Sequence, residues 1–185
     1  VVAQYLGAKD REDAQIAVHT SLAIAAILGV VLTVGGILVC RSLLVWMNTP
    51  EEVLGDAVTY MKLYFGGVLF SVVYNMAAGI LNAAGNSRRS VIYLACASIT
   101  NIILDLVLIA GLRMGVEGAA IATVFSQMVS CVLVLTCLCR TEGSYKLSFS
   151  KLSMKGYYLK QIFQVGIPAG IQSTVCLLYT SDAAD

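Results

Sequence analysis

Asp105 stands inside an otherwise uncharged run, 90–112, eight positions before Arg113 and sixteen after Arg89. At 1.5 Å of helix rise per residue, its carboxyl lies roughly 12 Å from the nearer end. So short a side chain cannot reach the interface. An ionised carboxylate in hydrocarbon costs at least about 2.5–3.5 kcal/mol on insertion scales. A bound cation, a proton, a hydrogen-bond donor or a water-filled cavity must compensate. Asn101 lies one turn earlier on the same face, and Ser98 extends the stripe. The next apolar run carries Thr123, Ser126, Gln127 and Ser130 at helical spacing. Thr123 follows Gly115 by eight residues, so across a short turn it reaches a depth comparable to that of Asp105. A carboxylate, an amide oxygen and a hydroxyl at one depth suit a hard cation. They suit a proton equally, because apolar surroundings favour the neutral form of a carboxyl. The expected ion-binding set is therefore Asp105, Asn101 and Thr123. The competing reading is hydrogen-bonded glue between packed helices, at about 0.6 kcal/mol per contact. Glue is the expectation for Ser98, Ser126 and Ser130.

A further stripe reads Ser71, Tyr74, Asn75, Gly79 and Asn82. Its spacing of three or four marks one helix face, turned either toward a cavity or against a neighbouring helix. Tyr74 and Asn75 are its candidates for lining such a cavity. His19 is expected to be an interfacial histidine, with a proton relay as the alternative. The six cysteines form no CxxC pair and no metal-ligand pattern, so they read as small apolar residues. No Walker loop, GxGxxG, GxSxG or HExxH occurs, so no enzyme, organic cofactor or ATP-driven step is expected. Gly29, Thr33 and Gly36 form one small-residue face, and Gly115, Gly118, Ala119 and Ala122 another; both read as close-packing surfaces.

These residues need apolar elements to hold them. Of the 185 residues, 58% are hydrophobic and 12% charged. A soluble domain carries about 25% charged residues. The net charge of +1 gives no electrostatic reason to expect a nucleic-acid partner. An all-α integral membrane protein is expected, a polytopic bundle with the lipid bilayer as its partner. Four uncharged or nearly uncharged stretches are long enough to cross about 30 Å of hydrocarbon: 14–40, 63–87, 90–112 and 118–139. A fifth opens near 161 and fails near Tyr179. Breakers separate the spans at Asn48-Thr49-Pro50, Gly85-Asn86-Ser87 and 111–118. Thr49, Pro50 and Glu52 predict a capping box at the start of the second span. Trp46, Tyr60 and Tyr64 fit an interfacial belt. Of the 12 Lys and Arg residues, nine fall on one side and Arg41, Lys62 and Arg113 on the other. The richer side is read as cytoplasmic. The basic loop after Arg140 ends in an amphipathic stretch around Leu152, Met154, Tyr157 and Tyr158, expected to lie on the membrane surface. Pro168 predicts a kink. The chain opens without Met, on what reads as the tail of an earlier helix, so a fragment is expected.

Several phrases together resemble the multidrug and toxic compound extrusion family. They are Val2-Ala3-Gln4-Tyr5-Leu6-Gly7-Ala8-Lys9-Asp10, Ala78-Gly79-Ile80-Leu81-Asn82-Ala83-Ala84-Gly85-Asn86-Ser87, Asn101-Ile102-Ile103-Leu104-Asp105, Gly115-Val116-Glu117-Gly118-Ala119-Ala120 and Gly166-Ile167-Pro168-Ala169-Gly170. The resemblance implies part of a two-lobe, twelve-helix transporter, monomeric at full length and resident in the inner or plasma membrane. Residues 1–140 would hold the end of the second helix and the third to sixth helices of the amino-terminal lobe. Residues 141–160 would be the cytoplasmic inter-lobe linker, and 161–175 the start of the seventh helix. Residues 176–185 depart from the family and read as a non-native, adapter-derived tail. The implied function is proton- or sodium-coupled antiport that exports amphipathic or cationic drugs and toxic compounds. Asn101, Asp105 and Thr123 match the family's ion site, with Na+ at Asp105 as the metal case. Asn75 resembles a substrate contact. A lipid-linked oligosaccharide flippase of the same superfamily and a non-transporting membrane scaffold are the alternatives.

Overall fold

The computed structural model describes residues 2–8, 11–141, 147 and 156–182. They form six α-helices: α1 (Val2–Gly7), α2 (Arg11–Trp46), α3 (Glu51–Ala83), α4 (Ser87–Asp105), α5 (Gly115–Arg140) and α6 (Gly156–Asp182). A π-helical segment, Leu106–Gly111, continues α4. Four helical stretches among the described residues are long and apolar enough to cross a membrane: Glu12–Trp46, Glu51–Ala83, Ser87–Gly111 and Gly115–Arg140. At 36 residues, α2 is about 54 Å long, so it must tilt or extend beyond the hydrocarbon.

Local chemistry ends the helices where the breakers lie. Asn48 (φ 54°) and Gly85 (φ 77°) adopt the left-handed conformation just past α2 and α3. At the first turn, the N–H of Thr49 donates to Leu44 O at 3.1 Å and that of Asn48 to Val45 O at 3.0 Å. At the second, Asn86 N–H reaches Leu81 O at 2.9 Å and Gly85 N–H reaches Asn82 O at 3.0 Å. Both are Schellman closures, which satisfy carbonyls the helix leaves unpaired. The first closure corrects the expected capping box. Thr49 is committed to the end of α2, so Pro50 (ψ 139°) becomes the N-cap of α3, with no side-chain cap hydrogen bond.

Small residues set the packing. A Cβ on Gly29 would come within 2.7 Å of Leu69, and one on Gly36 would overlap the Phe65 ring. The predicted glycine face of α2 is thus the surface that receives α3. Gly67 of α3 does the same for Val124 of α5, at 2.7 Å. The helix α3 is therefore held between α2 and α5, and α4 lies along α5. The buried core gathers Val18 and Leu22 with Tyr74, Ile80, Leu81, Val134 and Leu138. Large apolar side chains such as Val31, Leu38, Ile99, Ile102 and Leu106 are more than half exposed. Water would not tolerate such a surface, whereas lipid does.

The helix α6 differs from the expected boundaries. It starts at Gly156, inside the stretch read as linker, and runs without interruption across Pro168 and past residue 176 to Asp182. The amphipathic turn at Tyr157 and Tyr158 is its first turn, and it docks on α1. Tyr5 Oη donates to Gln161 Oε1 at 2.9 Å, and the Tyr5 and Tyr158 rings lie 5.6 Å apart. The rest of the expected linker, including Leu152 and Met154, lies outside the described residues.

Candidate functional site: a polar cavity between three spans

The three polar stripes converge. Ser71, Tyr74 and Asn75 on α3, Ser98 and Asn101 on α4, and Thr123, Ser126, Gln127 and Ser130 on α5 line one cavity of about 260 Å³. Only Leu94 and Ala97 add apolar lining, and no lining residue is charged. Tyr74 and Asn75 thus face the same space as Asn101 and Thr123. Asp105 is one turn beyond Asn101, past the cavity lining.

The hydroxyls on α5 do not bridge helices. Thr123 Oγ1 donates to Ala119 O at 2.9 Å, Ser126 Oγ to Thr123 O at 2.8 Å, and Ser130 Oγ to Gln127 O at 2.9 Å. Each proton is turned back onto its own helix, so each oxygen keeps its lone pairs for another partner. That is a different arrangement from the interhelical glue expected of Ser126 and Ser130. Asn75 Nδ2 likewise donates within α3, to Ser71 O at 2.8 Å, which leaves the amide oxygen as the free end. Tyr74 is the exception: its buried hydroxyl donates across to Ser90 O of α4 at 3.2 Å. This bond ties α3 to the first turn of α4, and only the ring remains for the cavity.

Asp105 Oδ1 and Asn101 Nδ2 are buried and have no hydrogen-bond partner. Buried polar groups are nearly always satisfied, so such a pair marks a place where something else binds. Rotating the Asn101 amide by 180° puts its oxygen where the nitrogen stands, making it a cation ligand. Among the described residues no three His, Cys, Asp or Glu side chains cluster into a metal-ligand set. A lone carboxylate can balance one positive charge.

The π-helical segment begins immediately after Asp105. Leu112 N–H reaches back to Val107 O at 2.9 Å and Met114 N–H to Leu108 O at 3.0 Å. Such wider turns recur at functional sites in helices. Here Gly118 lets the widened turn approach α5, since a Cβ there would meet Leu108 at 3.2 Å. No feature of the sequence signals this shift. His19 is buried within the protein, and its Nδ1 is 2.6 Å from Gln15 O. A carbonyl only accepts, so that nitrogen carries a proton.

Fold and cavity together define a multi-pass α-helical membrane protein with a polar pocket between three of its spans. A family model, MatE, matches residues 1–107, and the chain belongs to that family. The probable multidrug resistance protein YoeA of Bacillus subtilis is 30% identical over 180 residues, covering 92% of this chain and 38% of YoeA. The multidrug export protein MepA of Staphylococcus saprophyticus is 27% identical over 172 residues, covering 93% and 38%. Two solved structures, each described as a multidrug resistance MATE family transporter of the MOP superfamily, are similar to this chain, one inward-facing and one outward-facing. The inward-facing structure has a TM-score of 0.82 at 32% identity, covering 90% of this chain and 38% of that one. The outward-facing structure has a TM-score of 0.84 at 30% identity, covering 92% and 38%. The chain thus spans 38% of the length of these relatives.

Proposed function

We propose that this chain forms the ion-coupling part of a multidrug exporter driven by a proton or sodium gradient, acting as a monomer in the plasma membrane. The observation that carries this reading is the buried, partnerless Oδ1 of Asp105, one turn from the partnerless Nδ2 of Asn101, next to a polar cavity inside the bundle. Loading Asp105 with a proton or Na+ removes the cost of its bare charge. Ion binding then biases the protein toward whichever conformation completes the site, since a ligand shifts an equilibrium only by its differential affinity. Thr123 Oγ1 and the Asn101 amide supply neutral oxygens. The cavity, with Asn75 and the Tyr74 ring, receives an amphipathic or cationic compound. Its uncharged lining supports an exporter of such compounds over a flippase for anionic lipid-linked sugars, which needs basic groups in the cavity. The names of YoeA and MepA support the same reading.

The test is efflux of a cationic dye from cells under imposed sodium and proton gradients, with the intact protein and its Asp105→Asn variant. Loss of gradient-driven efflux at normal membrane expression is expected. Unchanged efflux in the variant would make Asp105 structural and remove it from the coupling site. Absence of dye efflux in the wild type would favour the flippase, and a scaffold would show neither flux nor an effect of the variant.

A further inference from the structure

A second, larger cavity lies along the same seam between α4 and α5, at the opposite end from Asp105. Its volume is about 520 Å³. Asn86, Arg89 and Tyr93 line it from α4, and Leu133, Arg140 and Thr141 from α5 and its cap. We propose that this groove binds the phosphate headgroup of an anionic phospholipid from the cytoplasmic leaflet.

The chemistry of the groove is graded along the membrane normal. Two guanidinium groups sit at its outer end, one in the first turn of α4 and one on the last residue of α5. Tyr93 lies one turn deeper on α4, and Leu133 two turns deeper on α5. A lipid has the same gradient, with a phosphate at the surface and carbon below. Arg89 is drawn across the seam, its Nη1 3.4 Å from Cys137 Sγ of α5. The exposed guanidinium is thus held over the groove, against α5. The start of α4 adds to the field: its N-cap, Asn86, makes no side-chain cap hydrogen bond, and the first turn contains no acid. First-turn N–H groups without a side-chain cap and the helix dipole both favour an anion there. No carboxylate lines the groove among the described residues.

The depth decides the source of the phosphate. Arg89 and Arg140 lie on the side rich in Lys and Arg, at the ends of their spans. Lipid phosphates form a continuous layer at that level, and basic pockets between spans on this side take anionic headgroups. Only 6% of the apolar stretch of α4 is buried, so its flank is open to lipid.

Binding is measured by native mass spectrometry of the intact protein, offered equal amounts of phosphatidylglycerol and phosphatidylcholine. Wild type is expected to retain phosphatidylglycerol preferentially. Each of Arg89→Gln and Arg140→Gln should weaken that preference about fivefold. Arg113→Gln, at the other end of the bundle, should leave it unchanged. Thr136→Trp keeps both arginines but fills the groove, and it should reduce lipid retention if folding is intact. The same preference in the double arginine variant would overturn the proposal. So would displacement of the lipid by millimolar inorganic phosphate, which would assign the site to a soluble anion instead.

Discussion

Asp105 carries the greatest consequence per atom in this chain. Its Oδ1 is buried without a partner, and leaving such a group unsatisfied costs about 1–3 kcal/mol, more when it is charged. Any ion that neutralises it in the folded state must therefore stabilise the fold by mass action. With the proposed ion at Asp105, the stability of the purified protein should rise with Na+ or with acidification, by about 2.7 kcal/mol at a hundredfold excess over Kd. Asp105→Asn should unfold at or above the wild-type temperature and lose this dependence. An ion dependence that survives in the variant would place the binding carboxylate elsewhere. Asn75 lines the cavity, whereas Asp105 does not. Asn75→Ala should weaken inhibition of dye efflux by competing substrates several-fold yet leave the ion-dependent thermal shift intact. A change in the thermal shift instead would join Asn75 to the ion site.

At the scale of elements, neighbouring glycines offer an internal control. A Cβ on Gly36 would strike the Phe65 ring, whereas one on Gly35 meets nothing within 4 Å. The same contrast holds between Gly67, which faces Val124, and Gly66, which faces open space. Packing replaces the hydrophobic effect as the force between spans, so overfilling these contacts is costly. Gly36→Val and Gly67→Val should each destabilise by about 1–3 kcal/mol, and Gly35→Val and Gly66→Val by much less. Thermal unfolding in detergent checks this, and equal effects within a pair would contradict the packing described. These elements also show what the sequence makes legible. Spans, turns and polar stripes were readable because each rests on a local period or a local breaker. The stripes were readable one by one, but that the α3 stripe meets the other two at one cavity was not, because a cavity face and a packing face share the same spacing. The capping box at Thr49 was misread because two caps compete for one three-residue turn, and the α2 closure takes the Thr49 N–H. The start of α6 was misplaced because an amphipathic surface helix and the first turn of a longer helix share one pattern. The π-helical segment was not readable at all, since a change in hydrogen-bond register alters no residue type.

At the scale of the whole molecule, the described bundle is about equally similar to an inward-facing and an outward-facing structure described as MATE family transporters. That equality has a physical basis in this chain. The helix α3 is clamped on one side by Gly29 and Gly36 of α2 and on the other by Gly67 against Val124. Tyr74 Oη pins α3 to the start of α4 at Ser90 O. Interfaces this close have no room to slide by a fraction of a turn, because cores are bistable and not continuously deformable. A conformational cycle built on such a bundle must move it as one body and place its hinges outside α2–α5. Spin labels at Met47 and Arg113, which lie at the same end of α2 and of the α4–α5 turn, report the separation within the bundle. That separation should change by less than about 1–2 Å, the scale of a helix shift, when Na+ or protons are added. A label pair with one member on α6, which is exposed over nearly all its described length, is free of this constraint. A large change between Met47 and Arg113 would mean that coupling works by rearranging the packed spans themselves. The glycine contacts would then have to open during each cycle, and Gly36→Val would slow transport instead of merely weakening the fold.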